Sequence, residues 1–141
     1  MRGRAGFTLI ELMFVVVIIS TLMAIAYPAF YRMRERAKEA GVKSNAHTVQ
    51  LAAEDFAAQN SGIYAVDDTS ALPTGDTLAD LVVPSVSNPF DNTDATPVTW
   101  TGPADAEGRV GYDSSLDPGV GYVIDGQGEG GIVIFTLTNG L

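Results

Sequence analysis

From Phe7 to Tyr27 the chain reads FTLIELMFVVVIISTLMAIAY, 21 residues with one charged side chain, Glu11. As a helix rising about 1.5 Å per residue, this run spans about 30 Å, the thickness of a bilayer core. No polar face appears at helical spacing, so the helix is apolar all round. Such a helix lies in a membrane or inside an assembly. A chain of 141 residues has too little other mass to enclose it. A secretory signal peptide would carry a shorter apolar run followed by a small-residue cleavage site. Here Tyr27-Pro28-Ala29-Phe30 follows instead. A plain membrane anchor fits the length but leaves Glu11 without a purpose, because a carboxylate in a spanning helix is costly and usually has a partner.

The residues in front sharpen the choice. Met1 to Gly6 is a short basic leader with Arg2 and Arg4, and it ends in glycine directly before Phe7. The stretch Gly6-Phe7-Thr8-Leu9-Ile10-Glu11-Leu12, followed by an unbroken apolar run, resembles the type III signal of the type IV pilin superfamily. That superfamily includes type IV pili, type II secretion pseudopili and competence pili. The resemblance is close over the first 30 or so residues and loose to about Asn60. It implies that a prepilin peptidase cuts between Gly6 and Phe7 and that Phe7 is then N-methylated. It also implies that Glu11 pairs with the Phe7 amine of a neighbouring subunit. Physics agrees with that role: an isolated carboxylate in an apolar bundle is strongly penalised, and an adjacent ammonium offsets much of the cost. Loss of residues 1–6 would leave six basic and 17 acidic side chains, a formal charge of −11.

Charge does not settle orientation across a membrane. Arg2, Arg4 and the amine stand before the span; Arg32, Arg34, Arg36, Lys38 and Lys43 stand after it. The resemblance places the N-terminus in the cytoplasm and the remainder outside. In the family, a proline near Pro28 bends the helix without ending it, and a stretch N-terminal to it unwinds in filaments. Ser20 to Pro28 is the segment expected to do so here, although Ser20 stands where many relatives have glycine.

Residues 29–60 read as a second, amphipathic half of the same helix. Phe30, Met33, Ala37 and Ala40 repeat at spacings of 3 and 4. After a slip near Gly41, Val42, Ala46, Val49, Ala53 and Phe56 continue the stripe. The stripe from Val42 to Phe56 is the expected seat of a small sheet. Arg32–Glu35, Glu35–Lys38 and Glu39–Lys43 stand at pairing distance, and Ser61-Gly62 supplies a stop. The basic cluster from Arg32 to Lys43 suits anionic headgroups, the acidic surface of neighbouring subunits, or a solvated face with internal pairs. Subunit contact is the favoured reading, because residues after Asn60 carry 12 acidic side chains against one basic one, Arg109.

Residues 61–97 are rich in Asp, Thr, Ser and Pro and read as a loop-rich connector with a short helix near Leu78. Asn88-Pro89-Phe90-Asp91-Asn92 signals a turn. Strands are expected at Val98–Thr101, Arg109–Ser114, Gly121–Ile124 and Ile132–Thr138. The Asp117-Pro118-Gly119 turn closes the second strand, and residues 125–131 form a hairpin between the last two. The fold class is therefore α+β: a long N-terminal helix packed on a small C-terminal antiparallel sheet of three or four strands. The organisation is a leader at 1–6, a membrane or filament-core half at 7–28, an amphipathic half at 29–60 and a head at 61–141.

Little in the chain suggests chemistry. There is no cysteine, which excludes disulfides, thiolate metal sites and the disulfide-bounded loop of many relatives. His47 stands mid-helix without companion ligands, and Trp100 is expected in the core. Asp125, Gln127 and Glu129 alternate with glycines and offer oxygens suited to calcium. They lack the full EF-hand pattern, and a glycine-rich hairpin needs no metal to explain it, so no metal or other cofactor is assigned. Aromatics along the helix are explained by packing.

The resemblance implies a structural subunit, the major pilin of a type IV pilus, and no enzyme. Its expected partners are other copies in a helical filament, the prepilin peptidase and methyltransferase, the membrane before assembly, and an inner-membrane platform with ATPases. No specific nucleic-acid partner is inferred. A pseudopilin of a type II secretion system is the alternative, and a membrane-anchored binding domain a third reading.

Overall fold

The fold is described from a computed structural model covering residues 6–114 and 119–139. The leader residues 1–5, with Arg2 and Arg4, lie outside it, as do Asp117 and Pro118 of the expected turn. The chain divides into two units, residues 1–35 and 36–141.

The first unit is the start of helix α1, Leu9–Gln59, which continues through Pro28. The segment from Ser20 to Pro28 is helical throughout in the single chain. Its two polar residues bond within the helix: the Ser20 hydroxyl donates to the Val16 carbonyl at 2.7 Å and the Thr21 hydroxyl to that of Ile18 at 2.8 Å. Their polar atoms are thus satisfied locally and make no polar stripe.

The second unit contains the rest of α1, the short helix α2 (Leu78–Leu81) and four strands: β1 (Val98–Thr99), β2 (Val110–Asp113), β3 (Val123–Gln127) and β4 (Val133–Thr138). Val42, Ala46, Val49, Ala53 and Phe56 are all buried, and they meet Val110, Tyr112, Tyr122 and Ile124 of the sheet region in one core. The period of 3 and 4 in the sequence is therefore the buried seam of α1. Gly41, at the slip in that period, is a contact point: a Cβ there would come within 2.8 Å of Pro89 Cγ. The helix stops where expected. Ser61 and Gly62 take positive φ, and the Gly62 N–H closes back on the Ala57 carbonyl at 2.8 Å. α2 begins with a capping box in which Thr77 and Asp80 satisfy each other's backbone N–H.

The sheet departs from the expected antiparallel pattern. Its order is β1-β2-β3-β4, and β1 runs parallel to β2; only the other two pairings are antiparallel. Residues 100–109 are too many for a tight hairpin and instead carry the chain back to the start of the sheet. That return is tied down by Asp105, which accepts from the Thr99 hydroxyl at 2.8 Å and from Arg109 Nη1 at 3.1 Å. β1 and β2 are shorter than expected. β3 starts and ends later than expected, running three residues into the region read as hairpin. The turn proper is Gly128 to Ile132, closed by the Gly128 N–H on the Ile132 carbonyl at 2.8 Å. Gly130 and Gly131 supply the positive φ it needs.

Candidate functional site

Gly6, Phe7 and Thr8 precede the helix and are not helical. A Cβ built on Gly6 would meet nothing within 4 Å, so no described part of this chain requires glycine there. Phe7 is exposed. Thr8 then caps α1. Its N–H and hydroxyl donate to Glu11 Oε2 at 2.9 and 2.7 Å, and the Glu11 N–H returns a bond to Thr8 Oγ1 at 3.3 Å. This is a reciprocal capping box, which satisfies two of the backbone donors orphaned at a helix start. Thr8 was missed as a site residue by the sequence argument, although the T-x-x-E spacing before an apolar run is its signal. Glu11, read as an assembly residue, thus already has a partner inside the uncleaved chain.

Beyond the cap, the large apolar side chains from Leu9 to Met33 are between 43% and 77% exposed. None of the most apolar 18-residue window is buried, and α1 is long and apolar enough to cross a membrane. Fully burying one such Leu, Ile or Phe gains roughly 1.5–3 kcal/mol. More than a dozen left open in water would outweigh the net stability of an ordinary domain. The surface therefore demands lipid or other helices. Pro28 sits within this exposed stretch, and its carbonyl accepts from Arg32 Nε at 3.4 Å. Arg34, Arg36 and Lys43 are exposed along the next turns.

Asp125, Gln127 and Glu129 are not brought together. Asp125 and Gln127 alternate on β3 and turn to one face. There Asp125 Oδ1, on a buried side chain, accepts from the Ala104 N–H at 2.9 Å, and the Gln127 amide donates to the Ala104 carbonyl. The glycines between turn to the other face. A Cβ on Gly126 would come within 2.8 Å of Val42 Cγ1, and one on Gly128 within 3.2 Å of Glu39 Oε1. The Asp-Gly-Gln-Gly pattern thus clamps a loop with its polar members and admits α1 with its glycines. Glu129 is exposed in the turn. No group of three or more metal-ligating side chains exists among the described residues. His47 is exposed on α1 and bonds Gln50, while Trp100 is only half-buried, tilted against Tyr112.

Two polar clusters hold the head. Arg109 grips Asp94 through two nitrogens, at 2.8 and 3.0 Å, and the Asn88 amide adds a third donor at 3.0 Å. These bonds hold the Asp94 carboxyl well below the usual carboxylate range, Arg109 being the larger cause. Asn88 also accepts from the Phe90 and Asp91 N–H groups, which builds the expected Asn-Pro turn. Across the core, the Tyr122 and Tyr64 hydroxyls donate to the two oxygens of Glu54 at 2.6 and 3.0 Å. Burial and then Glu54 push the Tyr122 phenol above its ordinary value.

The prokaryotic N-terminal methylation motif matches residues 1–27. The chain is 43% identical over 75 residues to the type IV narrow pilus major component PilA5 of Thermus thermophilus, covering 53% of this chain and 64% of that protein. It is 47% identical over 55 residues to the type IV major pilin protein PilA of Myxococcus xanthus, covering 39% of this chain and 24% of that protein. The matches thus span less than two thirds of either relative. No solved structure matches the chain significantly. The methylation motif falls over the exposed apolar helix, and both relatives are pilins by name, so the N-terminal part of this chain is similar to that of type IV pilins.

Proposed function

We propose that this chain is the major pilin of a type IV pilus: an inner-membrane precursor that becomes a subunit of a helical surface filament. The observation that carries the reading is the apolar surface from Leu9 to Met33, exposed on every side in the single chain. In the membrane that surface meets lipid; in a filament it meets the same surface of other copies. The transfer is nearly apolar to apolar, so packing and polar pairing must supply specificity. A prepilin peptidase would cut at Gly6–Phe7 and a methyltransferase would act on the new Phe7 amine. An inner-membrane platform and its ATPases would drive assembly. The chain itself performs no chemistry.

Glu11 has two successive partners in this scheme. Before cleavage, Thr8 supplies it with two donors, which lessens the cost of holding a carboxylate at the end of an apolar helix. After cleavage, the Phe7 ammonium of a neighbouring copy pairs with it and fixes the axial register of one helix against the next. Glu11→Gln tests this, because Gln can keep the capping box while losing the charge. The expected result is a precursor that accumulates in the membrane at the normal level with filaments lost. Normal filaments from that variant would contradict the pairing.

A further inference from the structure

Assembly needs no chemistry from this chain, yet the second unit carries four aromatic rings in an unbroken row. Trp100 is tilted against Tyr112, with ring centroids 6.3 Å apart. Tyr112 stacks on Tyr122 at 5.8 Å, and Tyr122 meets Tyr64 edge-on at 5.1 Å. Each spacing falls within the contact range of aromatic pairs, so an electron passes from ring to ring with no other group between them. Tyr112 and Tyr122 are buried, whereas Trp100 is half-buried and lines an open cleft with Ser85, Val86 and Pro97.

The hydroxyls set these rings apart from one another. A phenol that loses an electron becomes a strong acid. It settles as a neutral radical only where a base within hydrogen-bond reach takes its proton. The Tyr112 hydroxyl donates to the Ala65 carbonyl at 2.7 Å, and an amide carbonyl is too weak a base to take that proton. The Tyr122 hydroxyl donates to Glu54 Oε1 at 2.6 Å, and a carboxylate can take it. Glu54 is exposed, so the proton passes on to water. Tyr64 shares the same carboxylate through Oε2 at 3.0 Å but lies one ring farther along the row from Trp100. The row therefore has an entry at the surface, a bridge with no place for a proton, and a seat with one.

We propose that this row traps one-electron oxidation of the head surface: Trp100 gives up an electron, and Tyr122 refills it across Tyr112 and holds the radical. A one-electron oxidant, such as a metal complex or an oxygen-centred radical, takes one electron from the Trp100 indole and is reduced by one. The indole radical cation regains an electron from Tyr122 across the Tyr112 ring. In the same step the Tyr122 O–H bond breaks, its proton forms an O–H bond on Glu54 Oε1, and a neutral tyrosyl radical remains. The oxidation thus leaves an accessible indole, which is open to oxygen addition, for a buried ring that is shielded from it. The trap works within one chain and does not depend on the filament reading.

The test uses the full chain in detergent, with tris-bipyridine ruthenium(III) generated by a laser flash as the oxidant. Trp100 is the one tryptophan in the sequence, so an indole radical seen by transient absorption is its own. In the wild type that signal should decay as a tyrosyl radical rises. Tyr122→Phe keeps the ring and removes the hydroxyl, and the indole radical should then persist. Glu54→Gln changes an exposed side chain and keeps an acceptor oxygen, so the rings stay packed. It removes the base, however, and should lengthen the indole lifetime about a hundredfold. Under steady illumination both variants should accumulate oxygen adducts of Trp100, read by mass spectrometry. Equal indole lifetimes in the wild type and Tyr122→Phe would overturn the relay. A longer lifetime in Tyr122→Phe but not in Glu54→Gln would overturn the proton step at Glu54. Absence of an indole signal from the wild type and both variants would overturn Trp100 as the entry.

Discussion

The two halves of α1 obey one backbone geometry and opposite rules of burial. From Leu9 to Met33 the helix is apolar on every side and exposed. From Val42 to Phe56 it is apolar on one stripe, and that stripe is buried. The second half folds against its own sheet, so its side chains are set by jigsaw packing within the chain. The first half leaves its large apolar side chains exposed among the described residues, so its surface is set by something outside the chain. A substitution should therefore change head stability in the second half and assembly in the first.

The largest effect is expected at the seam. Phe56→Ala should cost the head about 3–5 kcal/mol, because it empties a closed position in the core. Leu22→Ala, on the exposed half, should leave the melting of the head unchanged. Thermal unfolding of both variants in detergent checks the pair; equal losses would break the comparison.

Next come the glycines. A Cβ on Gly111 would sit 2.1 Å from the Ala104 backbone nitrogen, and backbone cannot step aside as a side chain can. Gly111→Ala should destabilise the head by about 1–3 kcal/mol or more. Gly6→Ala meets nothing among the described residues and should leave the fold intact. Any change in the mass of the mature protein then reports on the peptidase, not on folding.

Arg109→Ala should destabilise the head, since it strips charge-assisted bonds from a largely buried Asp94. The pH dependence has a definite sign. Asp94 has a lower pKa folded than unfolded, so its contribution is present above the ordinary carboxylate value near 4 and is lost as pH falls below it toward the folded pKa. Wild type and Arg109→Ala should therefore differ most at neutral pH and converge in acid. A constant gap would contradict the assignment.

The smallest effect is expected at the cap. Thr8→Ala should weaken the first turn of α1 by about 1 kcal/mol. Faster amide exchange at Leu9 to Leu12, with exchange in the head unchanged, would show it.

Much of this contrast was legible in the residues. The all-round apolar run, the stripe at 3 and 4, and the Ser61-Gly62 stop each follow from local periodicity or turn chemistry, and each appears where the spacing puts it. The parallel pairing of β1 with β2 was not legible, because it depends on how residues 100–109 return, and Asp105, Thr99 and Arg109 reveal that only in three dimensions. The Asp125-Gly-Gln-Gly pattern looked like a loop because its glycines suit turns. In the fold Gly126 is a strand residue that makes room for Val42, and Gly128, where the turn begins, makes room for Glu39. At the N-terminus, Glu11 was visible as a charge out of place, whereas Thr8 was hidden in an apolar context.

The central claim is that the apolar half of α1 passes from membrane to filament after cleavage at Gly6–Phe7. Mass spectrometry of sheared surface filaments, first seen by electron microscopy, tests it most directly. The account predicts a subunit beginning at N-methylated Phe7. A filament subunit that still carries Gly6 before Phe7 would contradict it.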